Sequence, residues 1–375
     1  MVLSNFDSCG TLVSLDNRGK QANTTEYVRT DLYYTPLEDY YGFEQETSIN
    51  EPIYLPLQGR IDEHLQSYSQ LMEGCEELLG TAPRVFDKDT KERVLYVAQG
   101  EAAHALNSQC DILVSDRATT CHILALRSES NENEPLTSLT HVDGTSYENS
   151  IRAMIEEHYV HHRTNSKEEK KSDGIVANSM ITLRVHVVGG FDDKESIKIS
   201  SWLMDLLVRL ANEQKDSMKM SLETCAISSM NDDGYACPIG RGLGIHLESG
   251  NVFLAKVQED ALGPAAILRS VRLWGGHGGR ELSVIHTSRS DGVTVMPFSF
   301  QPFSRINELL SLPDDIMLEY TSTSPMVEEP EFCDSVRASL KFLRDEKCQN
   351  IFGPRMDQPL TFQRSGKSNA WTRKI

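Results

Sequence analysis

The sequence predicts a mixed α/β fold of the α+β type, with sheets covered by helices. Three observations carry that reading. Short apolar runs bounded by polar turns recur through the chain. Several longer segments place apolar residues at helical spacing instead. No internal repeat is visible, so the strands and helices belong to an ordinary layered domain.

In chain order, residues 1–54 are acidic and tyrosine-rich without sustained periodicity, and predict a poorly ordered extension. "IDEHLQSYSQLMEGCEELLG" follows, with Ile61, Leu65, Leu71, Leu78 and Leu79 at helical spacing and Gly80 as a stop. "RVLYVAQ", "DILVS" and "HILALR" read as strands. "SESNENEPLTS" reads as a loop, and "LTHVDGT" places a histidine before a D-G turn. "NSIRAMIEEHYVHH" is an amphipathic helix, and "RTNSKEEKKSDG" a charged loop. "MITLRVHVVGGF" is the strongest strand, stopped by Gly189 and Gly190, and "ISSWLMDLLVRLANE" is a helix expected to bury Trp202, Leu203, Leu206, Leu207 and Leu210. Strands are expected again at "ETCAIS", "GLGIHLE", "NVFLAKV", "LRSVRLW" and "LSVIHT". "EEPEFCDSVRASLKFLRDE" closes the core as a helix with Pro330 near its first turn. The expected organisation is therefore an extension over 1–54, a folded domain over 55–352 and a basic tail over 353–375.

The 375 residues are 39% hydrophobic and 25% charged, as in folded proteins with a modest polar excess. No apolar run is long enough to cross a bilayer. The start, "MVLSNFDSCG", has neither a basic region nor an apolar core, so secretion is not expected. A net charge of −18 argues against nucleic acid as partner, because phosphate binding needs a basic face. Eight cysteines without a C-x-x-C pair suit reduced thiols in the cytoplasm or nucleus rather than a disulfide framework.

One of those thiols stands apart. In "SDRATTCHILALR", Cys121 lies one step before an apolar run, among hydroxyls, where a side chain meets both core and ligand. A thiol of ordinary pKa, about 8.5, needs an adjacent base to become a nucleophile. His141, at the border of a strand and a turn, meets Cys121 if "HILALR" and the "LTH" segment pair as a hairpin. Ser115, at the end of "DILVS", returns to the imidazole if "DRATT" turns back, and its hydroxyl then orients the ring as a carboxylate does in other triads. No metal or cofactor is called for. The histidines of "EEHYVHH" lack H-E-x-x-H order and read as a solvated helix end. "GRGLG" and "GGHGG" lack phosphate-loop spacing, and His186 reads as a packed strand residue.

"SDRATTCHILALR", "LTHVDGT", "RVHVVGGFDD" and "STSPMVEEPEF" resemble the signature blocks of protein N-terminal asparagine amidohydrolases, in that family's order. The resemblance covers roughly residues 55–375. It implies a cysteine-hydrolase deamidase-like fold, sheets packed in a sandwich and flanked by helices. It also implies conversion of a free N-terminal Asn to Asp with release of ammonia, the step that feeds the N-degron route of protein degradation. The family's nucleophile falls on Cys121 and its histidine on His141. A more distant similarity to bacterial chemoreceptor glutamine deamidases implies Ser115 as the third member. Two departures stand out. Arg117 occupies a place where animal members carry an acidic residue, and Pro56 is internal, whereas the family's proline follows the initiator methionine.

The expected partners are proteins and peptides with a free N-terminal Asn. Backbone N–H groups near Thr120 and Cys121 are the expected oxyanion donors. The charged α-amino group calls for a carboxylate, with Asp116 and Asp143 as the candidates, each equally readable as a turn-forming Asp and Asp143 the more so, and Pro56 as a further binding residue. Rival readings are a deamidase acting on internal amides or on N-terminal Gln, and a non-catalytic scaffold that binds N-termini.

Overall fold

The computed structural model describes residues 68–129, 133–165, 180–274, 281–365 and 370–374. The expectations for residues 1–54, Pro56, the start of the first helix, the charged loop beyond residue 165 and "GGHGG" lie outside the described residues. The strands, in order, are β1 (Arg84–Phe86), β2 (Val94–Tyr96), β3 (Glu101–Ala105), β4 (Ile112–Ala118), β5 (His122–Glu129), β6 (Leu136–Val142), β7 (Ile181–Gly189), β8 (Met218–Ile227), β9 (Arg241–His246), β10 (Val252–Val257), β11 (Ser283–His286), β12 (Gly292–Val295), β13 (Leu360–Arg364) and β14 (Trp371–Arg373). The helices are α1 (Ser69–Leu79), α2 (Glu148–Asn165), α3 (Lys194–Glu213), α4 (Ala266–Trp274), α5 (Ile306–Leu310), α6 (Asp314–Thr321), α7 (Phe332–Asp345) and α8 (Cys348–Phe352).

Three sheets result: β1-β10-β9-β4-β2, β11-β3-β6-β5-β7-β8 and β12-β13-β14. The first two pack face to face. On β4, strand alternation sends Ile112 and Val114 outward to an apolar cluster with Phe86, Val94 and Val257. Leu113 and Ser115 turn inward toward the six-stranded sheet, where Leu113 joins the main core with Ile123, Ala125 and Leu139. The other face of the six-stranded sheet is covered by α2 and α3. That double cover explains why β5 reads as a nearly continuous apolar run: its residues from His122 to Ser128 are all buried. On α3, Ile199, Leu203, Leu206, Leu207 and Leu210 face the sheet at helical spacing. Asp193 caps it by accepting from the N–H groups of Glu195 and Ser196, a contact worth about 1 kcal/mol.

A second apolar cluster joins α4, α5, α6, α7 and α8, with Val336, Leu340, Leu343 and Phe352 at its centre. The buried ion pair of Glu101 and Arg269 ties it to the sheets: Nε and Nη2 of Arg269 donate to the two carboxylate oxygens at 2.9 and 2.5 Å. Among the described residues, no helix is long and apolar enough to cross a membrane.

Three sequence expectations change. "LRSVRLW" is helix α4 rather than a strand: Leu268 and Val271 are buried one helical turn apart, and a run this short leaves the period undecided. The histidines of "EEHYVHH" are not solvated, since His158, His161 and His162 are 0%, 7% and 3% exposed. Ser138 and Ser128 bracket His158 through hydrogen bonds of 2.8 and 2.7 Å, and Ser128 continues to His162 at 2.8 Å. The segment expected as a basic tail supplies β13 and β14, with β13 paired to β12 from Leu360 to Gln363.

Candidate active site

Residues 119–121 carry the chain from β4 in one sheet to β5 in the other. Cys121 therefore sits at the edge of the sandwich, partly exposed, and lines an open cavity of about 2520 Å³. β5 and β6 are antiparallel neighbours, with Ile123 opposite His141 and His122 opposite Val142. One residue further on, Cys121 and Asp143 stand at facing strand ends, and alternation places both on the face of Ile123 and His141. The hairpin expected from the sequence is the geometry observed.

Ser115 reaches the same point from the opposite sheet. Its Oγ lies 2.9 Å from His141 Nδ1, with both side chains buried. Just beyond Ser115 β4 is bulged, and Ala118 rather than Arg117 is the next residue in the core. Ser115 pairs with Leu243 and Ala118 with Arg241, and Arg117 adopts the left-handed φ of 61° between them. His141 Nε2 is buried and has no hydrogen-bond partner among the described residues. Burial lowers the imidazole pKa to about 4, with Asp143 and Glu101 pulling weakly upward, so the ring is neutral at physiological pH. A neutral ring that donates Nδ1–H to Ser115 keeps its lone pair on Nε2. The main-chain carbonyl of His141 is anchored too, accepting from Gly100 N–H at 2.9 Å.

The peptide around Cys121 is held from several sides. The Thr120 carbonyl accepts from Ser196 Oγ at 3.0 Å, and the Cys121 carbonyl from Gly190 N–H at 2.7 Å. His122 points to the opposite face, where its Nε2 lies 2.6 Å from Ser200 Oγ, and burial lowers its pKa to about 3. Thr120 Oγ1 lies 3.0 Å from Thr323 Oγ1, so the segment "STSPMVEEPEF" borders the cysteine.

The two carboxylate candidates separate. Asp116 is 2% exposed and committed, accepting from Val257 N–H at 2.7 Å and Tyr96 O–H at 3.1 Å. Its neighbour Arg117 pairs with Glu259 at 2.8 Å. Asp143 lines the cavity, and its oxygens accept from Gln99 Nε2 at 2.8 Å and Tyr147 O–H at 2.5 Å. Glu328 also lines the cavity; burial raises its pKa, while the Ser322 hydroxyl donates to its Oε1.

Gln99, Tyr147, Glu328 and Thr323 were not singled out in the sequence. The last two lie in a recognised block, which was a usable signal; the first two had none. Of the described cysteines, 75, 110, 225, 333 and 348 are buried, and desolvation pushes the Cys110 thiol up to about 12. Cys237 is the other partly exposed thiol and lines the same cavity. No group of three or more metal-ligating side chains gathers among the described residues.

Comparison with known proteins finds one family. The family described as protein N-terminal asparagine amidohydrolase matches residues 85–373. The protein N-terminal asparagine amidohydrolase of Homo sapiens is 30% identical over 256 residues, 67% of this chain and 74% of that protein. The protein of the same name from Sus scrofa is 31% identical over 257 residues, with the same coverage. The one from Arabidopsis thaliana is 24% identical over 304 residues, 74% of this chain and 81% of its own length.

Proposed function

The chain belongs to the family of protein N-terminal asparagine amidohydrolases, and from that premise we propose that it deamidates N-terminal Asn through Cys121. His141 Nε2 takes the thiol proton, and the thiolate attacks the side-chain amide carbon. The new C–S bond pushes the carbonyl electron pair onto oxygen, where backbone N–H groups near Thr120 and Cys121 receive it. Ser115 Oγ accepts the Nδ1–H of the imidazolium and steadies the ring while it is charged. As the tetrahedral adduct collapses, His141 returns its proton to the departing nitrogen and ammonia leaves. Water, deprotonated by the same Nε2, attacks the thioester; collapse expels the Cys121 thiolate and leaves Asp.

The carrying observation is the buried Ser115–His141 hydrogen bond beside the cavity that Cys121 lines. It supports a base whose second nitrogen has no other duty. Asp143, braced by Gln99 and Tyr147 yet half-buried, takes the substrate's ammonium group, a role for which the fully buried Asp116 is less accessible. Excluding Gln, one methylene longer, is worth only about 1–3 kcal/mol in a pocket and calls for a tight wall. On this reading the product, an N-terminal Asp, feeds the N-degron route, a role that suits a protein of the cytoplasm or nucleus.

The test is a short peptide beginning with Asn, followed for ammonia and for the amide-to-acid mass change. Turnover is expected with a free amino terminus and not with an acetylated one. Full activity in Cys121→Ala, or equal activity on internal amides, overturns the reading.

A further inference from the structure

We propose that Asn231, backed by Arg241, is a positioning residue that orients Cys121 by bracing the Gly189–Gly190 turn against the cysteine's own carbonyl. The proposal rests on the amidohydrolase reading and adds to it a residue outside the Ser115–Cys121–His141 group.

Asn231 follows β8 in a short 3-10 segment and is fully buried. Its Nδ2 donates to three carbonyl oxygens: Gly189 at 2.9 Å, Ala226 at 3.0 Å and Gly190 at 3.1 Å. Two hydrogens serve three acceptors, so one bond is shared. Its Oδ1 accepts from Arg241 Nε at 2.8 Å, and Arg241 Nη2 donates to the Met230 carbonyl at 3.2 Å. Arg241 pairs with Ala118 at the end of β4, so this contact links both sheets where the chain crosses between them.

What Asn231 braces is packed without slack. Gly189 and Gly190 have φ of 116° and 74°. A Cβ on Gly189 would lie 2.4 Å from the Cys121 carbonyl oxygen, and one on Gly190 would lie 2.5 Å from His122 Nε2. Gly190 N–H holds the Cys121 carbonyl at 2.7 Å. From the other side, α3 holds the Thr120 carbonyl through Ser196 and the His122 ring through Ser200. With both flanking peptides fixed, the backbone that carries the Cys121 sulfur is held from two sides. A displaced glycine turn moves the nucleophile relative to His141, and misplacements on the order of 1 Å cost about 100-fold in rate. An amide suits the position because an ionised carboxylate there would face three carbonyl oxygens.

The full chain carrying Asn231→Asp, Asn231→Ala or Arg241→Met tests this, with Leu210→Ala as a destabilised control deep under α3. Three quantities are read: melting temperature, kcat and KM on an Asn-starting peptide, and the pH profile of Cys121 alkylation by iodoacetamide followed by mass spectrometry. The Asn231 variants are expected to lose about 10- to 100-fold in kcat with KM within about threefold. Cys121 alkylation is expected to slow and its pH profile to shift. Arg241→Met, which leaves the amide in place, should lose less in the same direction, and it decides the matter if the Asn231 variants do not fold. Unchanged kcat and alkylation in folded variants overturn the proposal, as does an equal kcat loss in Leu210→Ala at matched melting temperature. If the wild-type protein does not turn over the peptide, the amidohydrolase reading fails, while the alkylation comparison still decides whether Asn231 positions Cys121.

Discussion

Acidification from pH 7 to pH 5 exposes how much of this fold depends on neutral buried histidines. Burial lowers the pKa of His104, His141 and His186 to about 4 and that of His122 to about 3. In the unfolded chain each returns to about 6.5. Between those values the unfolded state binds the extra proton, so stability falls as pH falls. At pH 5 the folded rings remain neutral while the unfolded ones are mostly charged, a difference of about 2 kcal/mol per histidine. With several such residues the loss is a sizeable part of the roughly 5–15 kcal/mol that holds a domain together. Asp116 and Glu328 work in the opposite direction, because burial raises their pKa and protonation favours the folded state. Urea unfolding at pH 7, 6 and 5 measures the balance. The midpoint is expected to drop steeply below pH 6, with peptide turnover following the folded fraction rather than a separate titration of His141. A midpoint at pH 5 equal to that at pH 7 would refute the argument, and so would an activity loss near pH 6.5 in protein still fully folded.

Three further outcomes follow from particular contacts. Ser115→Ala removes the partner of a buried ring nitrogen, a loss of about 1–3 kcal/mol; kcat should fall roughly 10- to 100-fold and the melting temperature by about a few degrees, as paired kinetics and calorimetry will show. Asp143→Asn keeps the size of the side chain but removes its charge. KM for Asn-starting peptides should rise by about tenfold, the equivalent of about 1.4 kcal/mol, and an unchanged KM would move amine recognition elsewhere, with Glu328 among the other carboxylates that line the cavity. Glu101→Gln leaves the Arg269 guanidinium, 4% exposed, without its counter-charge. A loss of about 3–5 kcal/mol in urea unfolding is expected, and a loss below about 1 kcal/mol would mean the pair is structurally incidental.

Much of the site was readable along the chain. The apolar runs flanking "ATTCH" and "LTH" carried their own strand signal, and pairing them as a hairpin was the arrangement that put Cys121 and His141 at one end. Hydroxyl spacing pointed to Ser115 as well. Local pattern works here because adjacent strands joined by a loop make contacts that are close in sequence.

Other features depended on contacts that no local pattern encodes. The bulge at left-handed Arg117, the Asn231 amide serving carbonyls some forty residues away, and the Glu101–Arg269 pair 168 residues apart all depend on partners distant in the chain. The same holds for the histidines of "EEHYVHH", polar in isolation yet buried once β5 and β6 supply serine partners. Periodicity states which face of an element is apolar. Which polar groups that face will meet is settled when the layers pack, because a buried donor or acceptor must find its partner wherever the fold brings one.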